Sequence, residues 1–263
     1  KKMLRYSSEE AALYFANNRT HFIEFYHTEK IVLEFLVNRI LNYSKPFRVL
    51  DLGCGAGGLG NALYERTGAN LSYTGIDINR QSIALGKKRF HHLNLLNGNF
   101  IDYLSEKKSL ECPDLITSFS CIDWNTDFQI SLERIISYCK VVQSDFMFTF
   151  RASKKGLDNI HESYQYVNYE GRKSGEIAAY VVLSFKQIRQ IITSLSPSVV
   201  ICQTTDRSPS PTAVTPYKQL TFGCMWIKDI DDLALGVDCQ EVDIEHLKSV
   251  KMLGSFNSEI LNN

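Results

Sequence analysis

Apolar positions near the start of the chain recur with a helical period, at Leu13, Phe15, Phe22, Ile23, Phe25, Ile31, Leu33 and Phe35. They follow Ser7-Ser8-Glu9-Glu10, which sets two N-cap candidates before acidic first-turn residues. The pattern predicts two helices, over 8–18 and 28–42. Lys45-Pro46 ends it, and Phe47-Arg48-Val49-Leu50-Asp51-Leu52 has the short apolar run of a buried parallel strand. From there the segments alternate. Helical stretches at 57–66, 80–90 and 130–139 separate strand-like runs at 71–77, 93–100, 115–119 and 146–150. Such alternation means βαβ units and an α/β fold with helices on both faces of a mostly parallel sheet. After Phe150 the rhythm breaks. Residues 151–180, rich in Lys, Gly, Asn and Tyr, read as an insertion, and 185–195 as a helix. A strand at 198–204, a Pro-rich connection and a last strand at 219–227 read as an antiparallel pair at the sheet edge. The tail from Asp229 is acidic at first, with one short helix expected over 242–250.

Composition narrows the function classes. With 29 basic and 29 acidic side chains among 263 residues, the chain has no cation excess to hold a nucleic-acid duplex. Its apolar runs fall far short of the roughly 18 to 20 residues that span a bilayer, so no membrane partner is expected. Neither an h-region nor a cleavage pattern marks the first residues. The seven cysteines, 54, 112, 121, 139, 202, 224 and 239, include no C-x-x-C pair, the usage of a reduced, cytoplasmic protein. No metal is assigned, since His91-His92 has no further ligands nearby.

The stretch that carries chemistry is Val49-Leu50-Asp51-Leu52-Gly53-Cys54-Gly55-Ala56-Gly57-Gly58, where a buried strand ends in an acid and turns through glycines into a helix. Glycines let a ligand lie against the backbone, and a helix start offers free N–H groups, as in a nucleotide-type cofactor site. A second acid, Asp77, stands 20 residues after Gly57 at the end of the next strand, where a carboxylate can accept hydrogen bonds from both ribose hydroxyls. The same glycines satisfy G-x-G-x-x-G, so an NAD-dependent oxidoreductase is the rival reading. Asp51 separates the two: at the mouth of the turn it repels a pyrophosphate and attracts a cofactor with an ammonium and a sulfonium, which is S-adenosyl-L-methionine.

Val49 to Gly58 resembles the first motif of the class I S-adenosylmethionine-dependent methyltransferases of small-molecule type, and Gly75-Ile76-Asp77-Ile78 resembles their second. The resemblance is good over residues 47–150. It implies a Rossmann-like, seven-stranded, mostly parallel sheet with the last strand antiparallel. It also implies that Asp51, Gly53, Cys54, Gly55 and Gly57 line the methionine part of the cofactor, with Asp77 and Ile78 at the ribose. Asn99 and Phe100 match the place of the adenine. The family usually has an acid there, but the amide oxygen of Asn99 can meet the adenine amino group. Ser118 and Phe119 would close over the cofactor, and Asp123 and Trp124 would begin the substrate side. The Asp-Pro-Pro-Tyr or Asn-Pro-Pro-Tyr motif of the amino-methylating DNA enzymes is absent.

Each side-chain candidate has a plainer alternative. Asp123 is either a general base or the N-cap of the helix near Ile130, and Trp124 either stacks on a substrate ring or covers the lip of the sheet. His161 is either a proton acceptor at the sheet edge or a solvated surface histidine. Tyr164 and Tyr166 either wall a substrate pocket or fill the core of the insertion. The expected layout is an N-terminal helical lid over 1–45, a methyltransferase domain over 46–229 with a substrate cap from 151–180 and the 206–217 loop, and a tail over 230–263. The expected activity is methyl transfer to an oxygen or nitrogen of a small metabolite, with a carbohydrate or nucleotide sugar as the first guess. A cofactor-binding subunit without catalysis is the remaining alternative.

Overall fold

The computed structural model describes residues 9–106, 112–125, 127–156, 163–168, 170–228 and 250–261. Two helices, α1 (Glu9–Ala16) and α2 (His27–Leu41), precede the sheet. The alternating part follows as β1 (Phe47–Leu52), α3 (Gly58–Thr67), β2 (Leu71–Asp77), α4 (Arg80–Arg89), β3 (Asn94–Asn97), α5 (Phe100–Glu106), β4 (Leu115–Ser118), α6 (Phe128–Val142) and β5 (Asp145–Ser153). Then come β6 (Tyr164–Tyr166), β7 (Ile177–Ala179), β8 (Leu183–Ser184), α7 (Phe185–Leu195), β9 (Val199–Arg207), β10 (Ala213–Val214), β11 (Leu220–Lys228) and β12 (Lys251–Leu253). The helix expected over 242–250 falls on residues outside the described ones up to 249.

The main sheet runs β12-β9-β11-β5-β4-β1-β2-β3, with β8 paired to the end of β5. Its continuous centre is the seven expected strands, and β8 and β12 are additions. Only β11 runs against its neighbours, β5 and β9. The last antiparallel pair does not form the sheet edge as expected: β11 is wedged between β5 and β9, and β12 lies parallel outside β9.

Strand alternation sorts the core into two layers. Val49, Tyr73, Leu95, Met147 and Trp226 meet α2, α3 and α4 on one face. Leu50, Leu52, Ile116, Phe146, Phe148 and Met225 meet α5, α6 and α7 on the other. Each such side chain contributes about 1.5 to 3 kcal/mol by leaving water. Helix α2 belongs to this layering, since Val32, Leu33, Leu36, Val37 and Ile40 are all buried. Helix α1 sits elsewhere, tied to α4 by Arg89, whose guanidinium donates to the Ala16 carbonyl at 2.6 Å. None of the described helices is long and apolar enough to cross a membrane.

Two departures from the expected elements have local causes. The strand expected over 93–100 stops at Asn97, because Asn99 Oδ1 accepts the Ile101 N–H at 3.0 Å and starts α5. The insertion after β5 carries strands of its own, in a three-stranded antiparallel sheet ordered β10-β6-β7. Val214 pairs with Tyr164 and Tyr166 with Ile177, so the insertion and the loop after β9 meet in one unit.

Candidate functional site

A cavity of about 430 Å³ opens at the carboxyl ends of β1, β2 and β4. Its floor is the glycine turn. Gly53, Gly55 and Gly57 have φ of 77°, 56° and 87°, a region that only glycine enters freely. The Gly53 and Cys54 N–H groups both donate to the Ile76 carbonyl, at 2.8 and 3.1 Å, which ties the turn to β2. Helix α3 then starts at Gly58, where a methyl group would run into the Arg19 carbonyl oxygen.

Asp51 reaches the cavity wall from the end of β1 while almost wholly buried. One oxygen accepts the Tyr73 hydroxyl and the other the Thr117 hydroxyl, at 2.8 Å. Register explains the second bond, since Asp51 lies opposite Thr117. Burial raises its pKa from the ordinary 3.8 to about 6. A carboxyl raised in this way is a stabilising group only while protonated. The contribution of Asp51 to stability is therefore expected to fall as pH rises from about 4 to about 6.

Asp77, at the end of β2, accepts the Gly55 N–H at 2.8 Å on one oxygen and the Asn79 N–H at 2.7 Å on the other. It braces the turn from the far side, and burial raises its pKa as well. Beyond it the cavity is bounded by Ile78, half exposed, with Asn99, Phe100 and Ile101, two apolar walls and an amide around a flat slot. Across the cavity Phe119 meets Phe25 edge-on at 6.4 Å.

The structure brings Asp51, Gly53, Cys54, Gly55, Asp77, Ile78, Asn99, Phe100, Phe119 and Trp124 to the lining of this one cavity. Gly57 lies behind it as the N-cap of α3, and Ser118 lies beneath it, fully buried. Asp123 is also behind the wall. Its carboxylate pairs with Arg151 at 3.0 Å, and it caps no helix, because α6 starts after Asp127. Tyr164 and Tyr166 stack edge-on at 5.7 Å on β6, apart from the residues that line the cavity. His161 lies outside the described residues. Away from the cavity, His92 stacks on Tyr64 at 4.0 Å.

Sequence reasoning missed Arg19, the one cation among the residues lining the cavity. Its guanidinium donates to Glu29 on α2 and to Ser120 Oγ, at 2.8 Å, and so spans from the N-terminal segment to the loop after β4. Arg19 and Ser120 have φ of 57° and 48°. Gln143 and Ser196, the other described non-glycine residues with positive φ, are ordinary helix C-caps, which leaves these two as strained residues at a cavity. Nothing in the sequence around Arg19 signals this, since its partners lie 10 and 101 residues away. Phe15, from α1, completes this side and meets Trp124 edge-on at 6.1 Å.

Residues 44–167 match the family model described as "Methyltransferase domain". The citrinin polyketide synthases of Monascus ruber and Monascus purpureus are each 29% identical over 108 residues, which is 39% of this chain and 4% of each synthase. The chain thus spans only a small part of the curated relatives it matches. Among solved structures, an S-adenosylmethionine-dependent methyltransferase from Clostridium acetobutylicum is 14% identical, with 77% of this chain and 91% of that one covered and a TM-score of 0.45. Human N-acetylserotonin methyltransferase in complex with SAM is 16% identical, with 77% and 55% covered and a TM-score of 0.39.

Proposed function

We propose that this chain is an enzyme of the class I S-adenosyl-L-methionine-dependent kind that transfers a methyl group to an oxygen or nitrogen of a small molecule, a reading supported by the match of residues 44–167 to the family model described as "Methyltransferase domain". The observation that carries the reading is the charge of the cavity. Asp51, Asp77 and Asp127 line it against a single cation, Arg19. That set complements a ligand bearing an ammonium, a sulfonium and one carboxylate, and it opposes the pyrophosphate of NAD.

The residues present fit such a cofactor, which when bound supplies the methyl group. Asp51 and the turn Gly53, Cys54 and Gly55 take the amino-acid end, with the ammonium on the Asp51 side and the carboxylate toward Arg19. Asp77 takes the ribose hydroxyls while Gly57 holds the turn open. Ile78 and Phe100 sandwich the adenine, with Asn99 at its edge. Phe119, next to Ser118 at the end of β4 and against Phe25, closes the reacting end. Helix α1 roofs the cavity through Phe15, the part of the N-terminal region that acts as a lid. Trp124 faces the acceptor, and the small sheet with Tyr164 and Tyr166 forms the cap behind it. Rate comes mainly from holding the acceptor atom in line with the methyl group and excluding water.

The test is thermal unfolding of the protein alone and with S-adenosylmethionine, S-adenosylhomocysteine or NAD. At about 100 times its dissociation constant a ligand adds about 2.7 kcal/mol. Stabilisation by both adenosyl ligands and not by NAD is expected, and stabilisation by NAD alone overturns the reading.

Two further outcomes are expected. S-adenosylhomocysteine affinity rises about tenfold between pH 5 and pH 7, because its ammonium needs Asp51 ionised and the carboxyl titrates at about 6. Calorimetry on Asp51→Asn checks this, since that variant flattens the profile. Arg19→Gln weakens S-adenosylhomocysteine by about tenfold, the worth of one charge-assisted hydrogen bond, and leaves methylthioadenosine, which lacks the amino-acid end, unchanged. Equal losses for both ligands would show that Arg19 only shapes the loop.

A further inference from the structure

Behind Trp124 and Ala179, two residues of the cavity wall, lies a polar cluster that cofactor binding does not use. Its centre is Arg151, at the end of β5 and 3% exposed. Its guanidinium is held between two rings, with Cζ 3.8 Å from the Tyr180 centroid and 4.9 Å from that of Trp124. One nitrogen pairs with Asp123 Oδ2 at 3.0 Å and donates to the Asp123 carbonyl oxygen. The Val181 N–H reaches the same carbonyl at 2.9 Å, which locks the Asp123 loop to the segment between β7 and β8 that carries Tyr180.

Three polar atoms of this cluster have no hydrogen-bond partner among the described residues: Asp123 Oδ1, Arg151 Nε and the Tyr180 hydroxyl. All three residues are more than nine-tenths buried. Native proteins leave few such groups, and three in one contact cluster beside a binding cavity call for a function. Their chemistry is complementary: an acceptor, a donor, and a hydroxyl that serves as either. Arg151 and Asp123 already balance each other in charge, so the cluster favours no net anion or cation.

We propose that Asp123, Arg151 and Tyr180 recognise a neutral hydroxyl group on the methyl acceptor, entering past Trp124 and Ala179 from the cofactor cavity. The proposal rests on the methyltransferase reading and adds a substrate class to it. The hydroxyl donates to Asp123 Oδ1 and accepts from Arg151 Nε or Tyr180. The aromatic side chains at the entrance, Phe15 and Trp124, suit a flat ring carrying that hydroxyl. Asp123 contacts the acceptor directly, with its carboxylate held in place by Arg151. Tyr180 sets specificity, because it joins the cluster through ring stacking and leaves its hydroxyl to the ligand.

The experiment is an NMR titration of the S-adenosylhomocysteine complex with phenol, toluene and benzoate as probes. Phenol is expected to bind at least about tenfold more tightly than toluene and more tightly than benzoate. In Tyr180→Phe, which keeps the ring under Arg151, the phenol preference over toluene falls about fivefold, the worth of one neutral hydrogen bond, while S-adenosylhomocysteine affinity stays at the wild-type value. A role in packing alone would leave that ratio unchanged. Equal binding of phenol and toluene to the wild-type complex overturns the proposal, as does a preference for benzoate or an unaltered ratio in Tyr180→Phe. Failure of S-adenosylhomocysteine itself to bind overturns the underlying methyltransferase reading instead.

Discussion

Replacing Asp77 by alanine is expected to weaken S-adenosylhomocysteine binding about 100-fold. Its two oxygens accept the Gly55 and Asn79 N–H groups, and the proposed ribose hydroxyls add two charge-assisted bonds to the remaining lone pairs. Each bond of that kind is worth about 1.5 to 3 kcal/mol, so losing two removes at least about 3 kcal/mol, a factor of more than 100. The substitution acts a second time through the turn, because Gly55 loses the anchor that aims its backbone at the ligand. Isothermal calorimetry measures the change directly. A loss below threefold would place the ribose elsewhere and remove Asp77 from the site.

Arg151→Ala is the substitution expected to cost most stability. It strands the Asp123 carboxylate in the interior, where burial already pushes its pKa up and Arg151 is the main force pulling it back. Breaking a buried pair from one side costs about 3 to 5 kcal/mol. Removing both partners is much milder, because no uncompensated charge remains. Denaturant unfolding of Arg151→Ala, Asp123→Ala and the double variant therefore forms a cycle in which the double variant is more stable than the sum of the singles requires. Additive losses would mean that the pair contributes packing and no electrostatic coupling.

Much of the fold was legible because the sheet is built from local signals. β1, β2 and α7 occur at the residues expected of them, since each is bounded by its own breaker or cap: Pro46 before β1, the glycine turn after it, and the Ser184 side chain accepting the Gln187 N–H at the start of α7. The wall of the cavity was legible for the same reason, as Asp51, the glycines and Asp77 lie at the ends of adjacent strands. What escaped depends on distance along the chain. Nothing in the alternation says that β11 enters between β5 and β9, or that β12 pairs outside β9. Arg19 escaped because its role arises from Glu29 and Ser120 together. Arg151 was invisible within the apolar run of β5, and only the fold brings Asp123 and Tyr180 to it. Asp123 itself was found from its place after β4, while the partner that fixes its carboxylate was not.

The position of β11 also shapes how the chain is made. Strand β5 carries Phe146, Met147, Phe148 and Phe150, all buried, and most of its outer edge is filled by a strand that ends at Lys228, 75 residues after Ser153. At about 5 to 20 residues per second, a ribosome would leave that edge open for about 4 to 15 s, and β9, although made earlier, pairs in the sheet with β11 and β12 and not with β5. An unpaired apolar strand edge is a template for association with other chains. Nascent chains stalled shortly before residue 220 should therefore be the species that chaperones hold, and those extended past 228 the first to escape them.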